Sequence, residues 1–443
     1  MTSMQVSGAP GLDFEAWDTT KLDRTGFPAL SHPQELRAPS FGLFSGEGVG
    51  DHKLRSCPFS IPVLVALLAL ALTACRSHDF PQYPPSYREY AYVTNEDSGT
   101  VTVLDVVDVR LDRELPVGRN PIAVSASPTR NEVYVVNSGV EGAQGSVSVI
   151  NAENNTVAAT IPVHRRPVSI DLDPEGALAY VANSGSNSIS VLDLKARREI
   201  AQIGTGEEPV AARIAPDGKT LVVANRRAGS VSIIDPASHN VRQVVEGCPG
   251  ASDIVILPDS AKAFVACAAG HQIMAIALAN AKANPAQPDR LESFLDVGRA
   301  PVHLALKPDG GELFVSNSLS DSISEIYAST DEVAGATMIG DDPVRGLVTS
   351  DNSLLYVANF RSQYVTIYSI EDGKRLPALQ GGSIRVGDGP SALAFSSSGL
   401  LLFVVDARSS DIAVVRTASR SLFTIIPTGR APNAIAVKAF KLP

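Results

Sequence analysis

Tryptophan occurs once in the chain, methionine and cysteine four times each, and charged side chains make up only 19% of its 443 residues. The composition rests instead on Val, Ile, Ala, Ser, Gly and Pro, which suit short strands and tight turns better than long helices. A basic surplus is lacking as well, since 37 Lys and Arg face 47 Asp and Glu, for a net charge of −10. A nucleic-acid binder needs excess cations to displace phosphate counterions, so nucleic acid is excluded as a partner. No Cys-x-x-Cys or His-x-His pair is present, and His164, His239, His271 and His303 stand far apart. Neither a metal site nor a cofactor is therefore expected. A Gly-x-Ser-x-Gly elbow is missing too, which leaves no recognisable nucleophile and favours a non-enzymatic protein.

What is present begins with an apolar run. Residues 61 to 74 read IPVLVALLALALTA, follow Lys53 and Arg55, and lead to Leu72-Thr73-Ala74-Cys75. A membrane span needs about 20 apolar residues, so the run fits a signal-peptide core within residues 54–75. Leu-Thr-Ala-Cys resembles the bacterial lipobox. The resemblance implies lipidation of Cys75, a membrane partner through that lipid, and a place in the bacterial cell envelope, periplasmic or cell-surface, with the outer membrane preferred. Residues 1–53 are too long and mixed for a leader. They are expected to be a disordered extension, or to precede a true start near Val49 or Leu54 at a non-ATG codon. Residues 76–89 carry Pro81, Pro84 and Pro85 and read as a tether reaching up to about 40 Å.

From Tyr92 onward the chain repeats itself. A strand ending in Asn recurs as Tyr92 to Asn95, Tyr134 to Asn137, Tyr180 to Asn183, Val222 to Asn225, Phe314 to Asn317 and Tyr356 to Asn359. Two further copies end differently, Phe264 to Cys267 and Phe403 to Asp406. The spacing is mostly 42 residues and at most 50, the period of a four-stranded propeller blade. Each unit has a Pro-led apolar strand, a Pro-Asp-Gly type turn, the Asn-ended strand, an alternating third strand, and a fourth that ends at a Gly-x-x-Pro step. The first unit lacks its Pro-led strand, and the chain finishes with a lone one, Pro432 to Val437. Pairing it with Tyr90 to Asn95 would close a ring and remove exposed sheet edges. The expected fold is all-β: a propeller of four-stranded antiparallel blades over residues 90–440, with eight blades, or seven and a terminal unit packed outside.

These residues resemble the YVTN-repeat β-propellers, also described as surface-layer-type or YncE-like, over nearly all of 90–440. The resemblance implies a membrane-anchored binding or scaffolding module, with an envelope protein or a small anionic ligand as its partner. Two alternatives stand beside it. A lactonase-type propeller hydrolase would need acids or histidines converging on the channel, for which Asp171 and His303 are available. A haem d1-type propeller would need a histidine, His164 or His303, and arginines such as Arg119, Arg165 and Arg345 for the haem carboxylates. No Cys-x-x-Cys-His site exists, so a haem of its own for electron delivery is excluded.

The residue after Gly in each Gly-x-x-Pro step should form a ring at one mouth of the channel. It runs Arg119, Arg165, Glu207, Cys248, Arg299, Asp341, Asp388 and Arg430, with His164 and Arg166 adjoining Arg165. The arginines suit carboxylate or phosphate recognition, or else form a solvated rim paired with neighbouring acids. Two residues past the Pro most units carry Ala or Ser, Ser252 among them, but two neighbouring ones carry His303 and Arg345, the better candidates for a ligand. Two positions further on, Asp171 and Arg213 are read as an ion pair between adjacent blades. Cys248 and Cys267, on paired strands and within a residue or two of register, are expected to form a disulfide.

Overall fold

The computed structural model describes residues 83–279, 288–377 and 382–442. The expected leader, Cys75 and most of the expected tether lie outside them. The described residues fall in one compact unit.

Eight four-stranded antiparallel sheets make eight blades, so the seven-blade alternative falls. Blade 1 joins Tyr87–Asn95, Thr100–Asp105 and Arg110–Pro116 to Pro432–Lys441 from the far end of the chain. Blades 2 to 8 follow in order, with innermost strands Pro121–Ala126, Pro167–Leu172, Pro209–Ile214, Ala251–Ile256, Pro301–Leu306, Pro343–Val348 and Pro390–Phe395. Each innermost strand touches the next, and Pro432–Lys441 touches both Pro390–Phe395 and Pro121–Ala126, which closes the ring. In blade 7 the outermost strand is split into Lys374–Arg375 and Ser383–Arg385, both paired with Tyr364–Ser369.

The closing strand pairs with blade 1 over a longer span than Pro432 to Val437. Tyr87 faces Lys441 and Asn95 faces Pro432. Tyr87, Arg88 and Glu89 therefore belong to the ring and not to the tether, which corrects the expected boundary at residue 89. Glu89 is wholly buried and accepts hydrogen bonds from the Ser397 amide at 2.6 Å and the Tyr87 hydroxyl at 2.8 Å. Its charge and the adjoining prolines hid a strand whose partner lies some 350 residues away.

The repeat's aromatic holds the blades together. Tyr92, Tyr134, Tyr180, Phe264, Phe314, Tyr356 and Phe403 stand three residues before the end of the second strands of seven blades and are among the largest fully buried side chains. Phe264, for example, packs with Leu313 and Val315 of the following blade. Burying one such ring contributes up to about 3 kcal/mol, so the inter-blade faces form the core.

The repeat's Asn is a latch within six of the eight blades. In blade 2 the Asn137 amide donates to Ser146 Oγ at 3.1 Å and Ser148 Oγ at 2.9 Å, and its Oδ1 accepts the Gly118 amide at 3.0 Å. A Cβ on Gly118 would lie 2.5 Å from Asn137 Cγ, which is why Gly accompanies Asn. In blade 5 Ala251 faces Cys267 as Pro301 faces Asn317 in blade 6, so Cys248 stands in the Gly slot itself, one place earlier than the sequence reading put it. Cys248 and Cys267, both wholly buried, are joined with their Cα atoms 4.8 Å apart.

Candidate functional site

All eight innermost strands line the central channel, which encloses a cavity of about 340 Å³. Small-molecule sites commonly start near that size. Position three of these strands is a small residue in five blades: Ala434, Ala123, Ser169, Ala211 and Ala392. In blades 5, 6 and 7 it is Asp253, His303 and Arg345, an acid, an imidazole and a guanidinium on consecutive blades.

Asp253 is the residue that sequence reasoning missed. Taking Gly247 as the Gly of the step put Ser252 in its place, whereas counting three residues on from the true slot, Cys248, reaches Ala251 and makes Asp253 third. Ser252 instead turns its hydroxyl to the Ala266 and Pro301 carbonyls, at 3.3 and 3.1 Å.

The two acceptors in this arc, Asp253 and His303, each have a backbone task, and so does Asp171 of blade 3. Asp253 Oδ2 accepts the Leu304 amide of the next blade at 3.1 Å, and His303 Nδ1 accepts that of Gly346 at 3.2 Å. Asp171 Oδ2 accepts the Ile214 amide at 2.9 Å. Asp171 and Arg213 are thus not in direct ion-pair contact, contrary to expectation. The Arg213 guanidinium lies 3.6 Å from Asp253 Oδ1 instead, although its charge still offsets part of the burial that raises the Asp171 pKa. Facing the following blade brings Arg213 to the better acceptor.

His303 is only 12% exposed, and burial, helped by the Arg345 charge, pushes its pKa down to about 3. It is neutral, its Nδ1 lone pair is spent on Gly346, and the proton sits on Nε2, which faces Asp253 Oδ2 at 3.8 Å. Arg345 stays cationic, with its pKa lowered by burial and held up by Asp253. It makes no hydrogen bond or ion pair within 4 Å to any described residue. An unpaired guanidinium in a partly enclosed cavity is costly, and an anion entering the channel would relieve that cost.

Of the eight residues singled out for a ligand, the cavity brings together His303 and Arg345. Arg119, Arg166, Arg299 and Arg430 on loops, and Arg165 at a strand end, are exposed and do not line it. Two of those arginines are tied to carbonyls, Arg299 to Leu319 at 2.9 Å and Arg430 to Asp97 at 3.4 Å. His164 lies 3.2 Å from Glu199, away from the cavity. Among the described residues no group of three or more His, Cys, Asp or Glu is placed to hold a metal. A haem does not fit these residues either. His303 has no free lone pair for iron, and His164 is outside the channel.

Residues 175–283, from blade 3 to blade 5, match the YNCE-like beta-propeller family model. That YncE-like segment lies within an eight-bladed β-propeller. No curated protein matches it. Among solved structures, the dihydro-heme d1 dehydrogenase NirN in complex with DHE is similar with a TM-score of 0.64 and 13% identity, over 86% of each chain. Apo AztD from Citrobacter koseri is similar with a TM-score of 0.59 and 14% identity, over 80% of this chain and 98% of that one. Hydrazine synthase from Kuenenia stuttgartiensis gives 0.51 and 23%, over 63% and 91%. At these identities the likeness is one of fold.

Proposed function

We propose that this protein is a lipid-anchored cell-envelope propeller that binds a small anionic ligand in its channel, with Arg345 as the anchoring charge. The observation that carries the binding reading is the unpartnered Arg345 guanidinium facing a cavity of about 340 Å³. The anchor rests on Leu72-Thr73-Ala74-Cys75 following an apolar run. A carboxylate or a phosphate would complete Arg345 with two parallel hydrogen bonds. Neutral His303 can offer its Nε2–H beside it.

The test has two arms. Cys75→Ala should move the protein from the membrane to the soluble fraction; retention on the membrane would refute the anchor. In calorimetric titrations with acetate, octanoate, succinate and inorganic phosphate, at least one anion should bind the wild type, and Arg345→Met should abolish the heat. Removing an unpaired charge should hold or raise the melting temperature of that variant, so lost binding cannot be lost folding. Equal binding by wild type and variant, or no binding of any anion, would refute the site.

A further inference from the structure

The innermost strand of every blade is the edge of its sheet, so alternate backbone amides along it have no strand to pair with and face the channel. Ile122, Val168 and Ile435 line the cavity but pack their side chains into the inter-blade cores, and the surface left to the channel is mainly polar. In blades 5 and 6 the residue at position three satisfies one open amide on the next blade, that of position four: Asp253 takes Leu304 and His303 takes Gly346. Leu393 of blade 8 lines the cavity in the same place, since Leu304, Gly346 and Leu393 pair alike with Val315, Val357 and Val404, each two residues before the end of its strand. The residue that should serve its amide is Arg345, which carries only donors. A guanidinium and an N–H are thus placed together between blades 7 and 8, and no side chain among the described residues accepts the Leu393 amide. Further round the ring, the matching amides of Ile435 and Val124 follow Ala392 and Ala434, which offer no side-chain acceptor either.

We infer that the channel takes a hydroxylated monocarboxylate of the sugar-acid kind. Its carboxylate stands in for the acceptor that blade 7 lacks, on Arg345 and the Leu393 amide, and its hydroxyls meet the open amides of Ile435 and Val124. This rests on the anion-binding reading above and narrows it. A planar carboxylate can engage the guanidinium and still present a lone pair to the amide. Hydroxyl groups suit the neighbouring strand edges, because they accept from N–H groups and donate to the open carbonyls beside them, which an alkyl chain cannot do. A second carboxylate is opposed, since Asp253 stands on the same wall and already engages Arg213.

Full-length protein is titrated by calorimetry with gluconate, hexanoate, acetate, succinate, inorganic phosphate and sorbitol. Gluconate should bind at least tenfold tighter than hexanoate, which has the same number of carbons, and than the other anions, and sorbitol should not bind. Two variants locate the carboxylate. Arg345→Met and Arg345→Asn should both lose gluconate, but an Asn oxygen can accept the Leu393 amide as Asp253 accepts that of Leu304, so Arg345→Asn should melt higher than Arg345→Met. Equal melting, or a lower midpoint for Arg345→Asn, would overturn the placement on Leu393. Hexanoate, succinate or phosphate binding as tightly as gluconate would overturn the hydroxylated monocarboxylate while leaving the anion site standing. Sorbitol binding like gluconate would overturn it too, because hydroxyls alone would then decide. If no anion binds, both readings fall together.

Discussion

Six blades close with Asn and two do not, and the comparison shows how a repeat protects a contact while changing its chemistry. In blades 1, 2, 3, 4, 6 and 7 the amide of Asn95, Asn137, Asn183, Asn225, Asn317 or Asn359 donates to a hydroxyl on the third strand. Blade 5 replaces both Gly and Asn by cysteine and joins them covalently, and Met274 stands where the hydroxyl partner would be. Blade 8 has Asp406 for Asn and faces it with Asp411 where most blades carry Ser or Thr. Asp406 Oδ2 still accepts the Gly387 amide at 2.9 Å. Burial pushes its pKa up to about 8, with Asp411 adding to the rise, so it enters the latch as the neutral acid. The partner set changes together with the Asn each time.

Three substitutions would sharpen or break this equivalence. The largest loss should come from Cys248→Ser with Cys267→Ser, which opens a link spanning 19 residues. The chain-entropy relation puts that at about 3 kcal/mol, read as a lower denaturation midpoint. An unchanged midpoint would mean the covalent latch adds nothing to a polar one. Asn183→Ala should cost about 2 kcal/mol, because it strands the buried Ser190 hydroxyl that the amide now satisfies at 2.9 Å. A loss below 0.5 kcal/mol, roughly the scatter of surface substitutions, would deny the latch a structural role.

The smallest effect at acid pH, and a growing one above it, is expected from Asp406→Asn, which restores the repeat's residue. Asp406 takes up a proton on folding, since its pKa near 8 in the fold exceeds the unfolded value of about 3.9. Its contribution is complete below about pH 4 and is lost as pH rises to about 8. The wild type should therefore melt ever lower than Asp406→Asn between pH 5 and 8, with the difference constant beyond. Parallel melting curves across that range would show that blade 8 holds no proton.

The ring and its repeat were legible because the same short grammar recurs eight times and the two incomplete ends complement each other. The cysteines were placed as a pair for the same reason, although their slot was missed by one residue. The site was less legible. His303 and Arg345 stood out where other units carry Ala, but Asp253 was hidden because Gly247, beside the true slot at Cys248, shifted the apparent register by one, and side-chain partners such as Arg213 with Asp253 depend on which neighbouring blade a residue faces. The mouth arginines were conspicuous in sequence and project from loops, so composition overstated them. The first residues of blade 1 could not be read locally, because their pairing exists only when the ring is closed.

That closure also decides how the molecule bears force. Tyr87 lies beside Lys441, so pulling the two ends of the chain apart would open the seam one residue pair at a time from that edge, a zipper that parts at low load. Pulling on the N-terminal end alone, with the remaining blades held, loads Tyr87–Asn95 along its own axis between two flanking strands. Its pairs with both neighbours must then slide together, which takes far more force. The same strand is fragile to one direction of tension and strong to the other, and the strong direction is the one in which a tether at the N-terminus would pull.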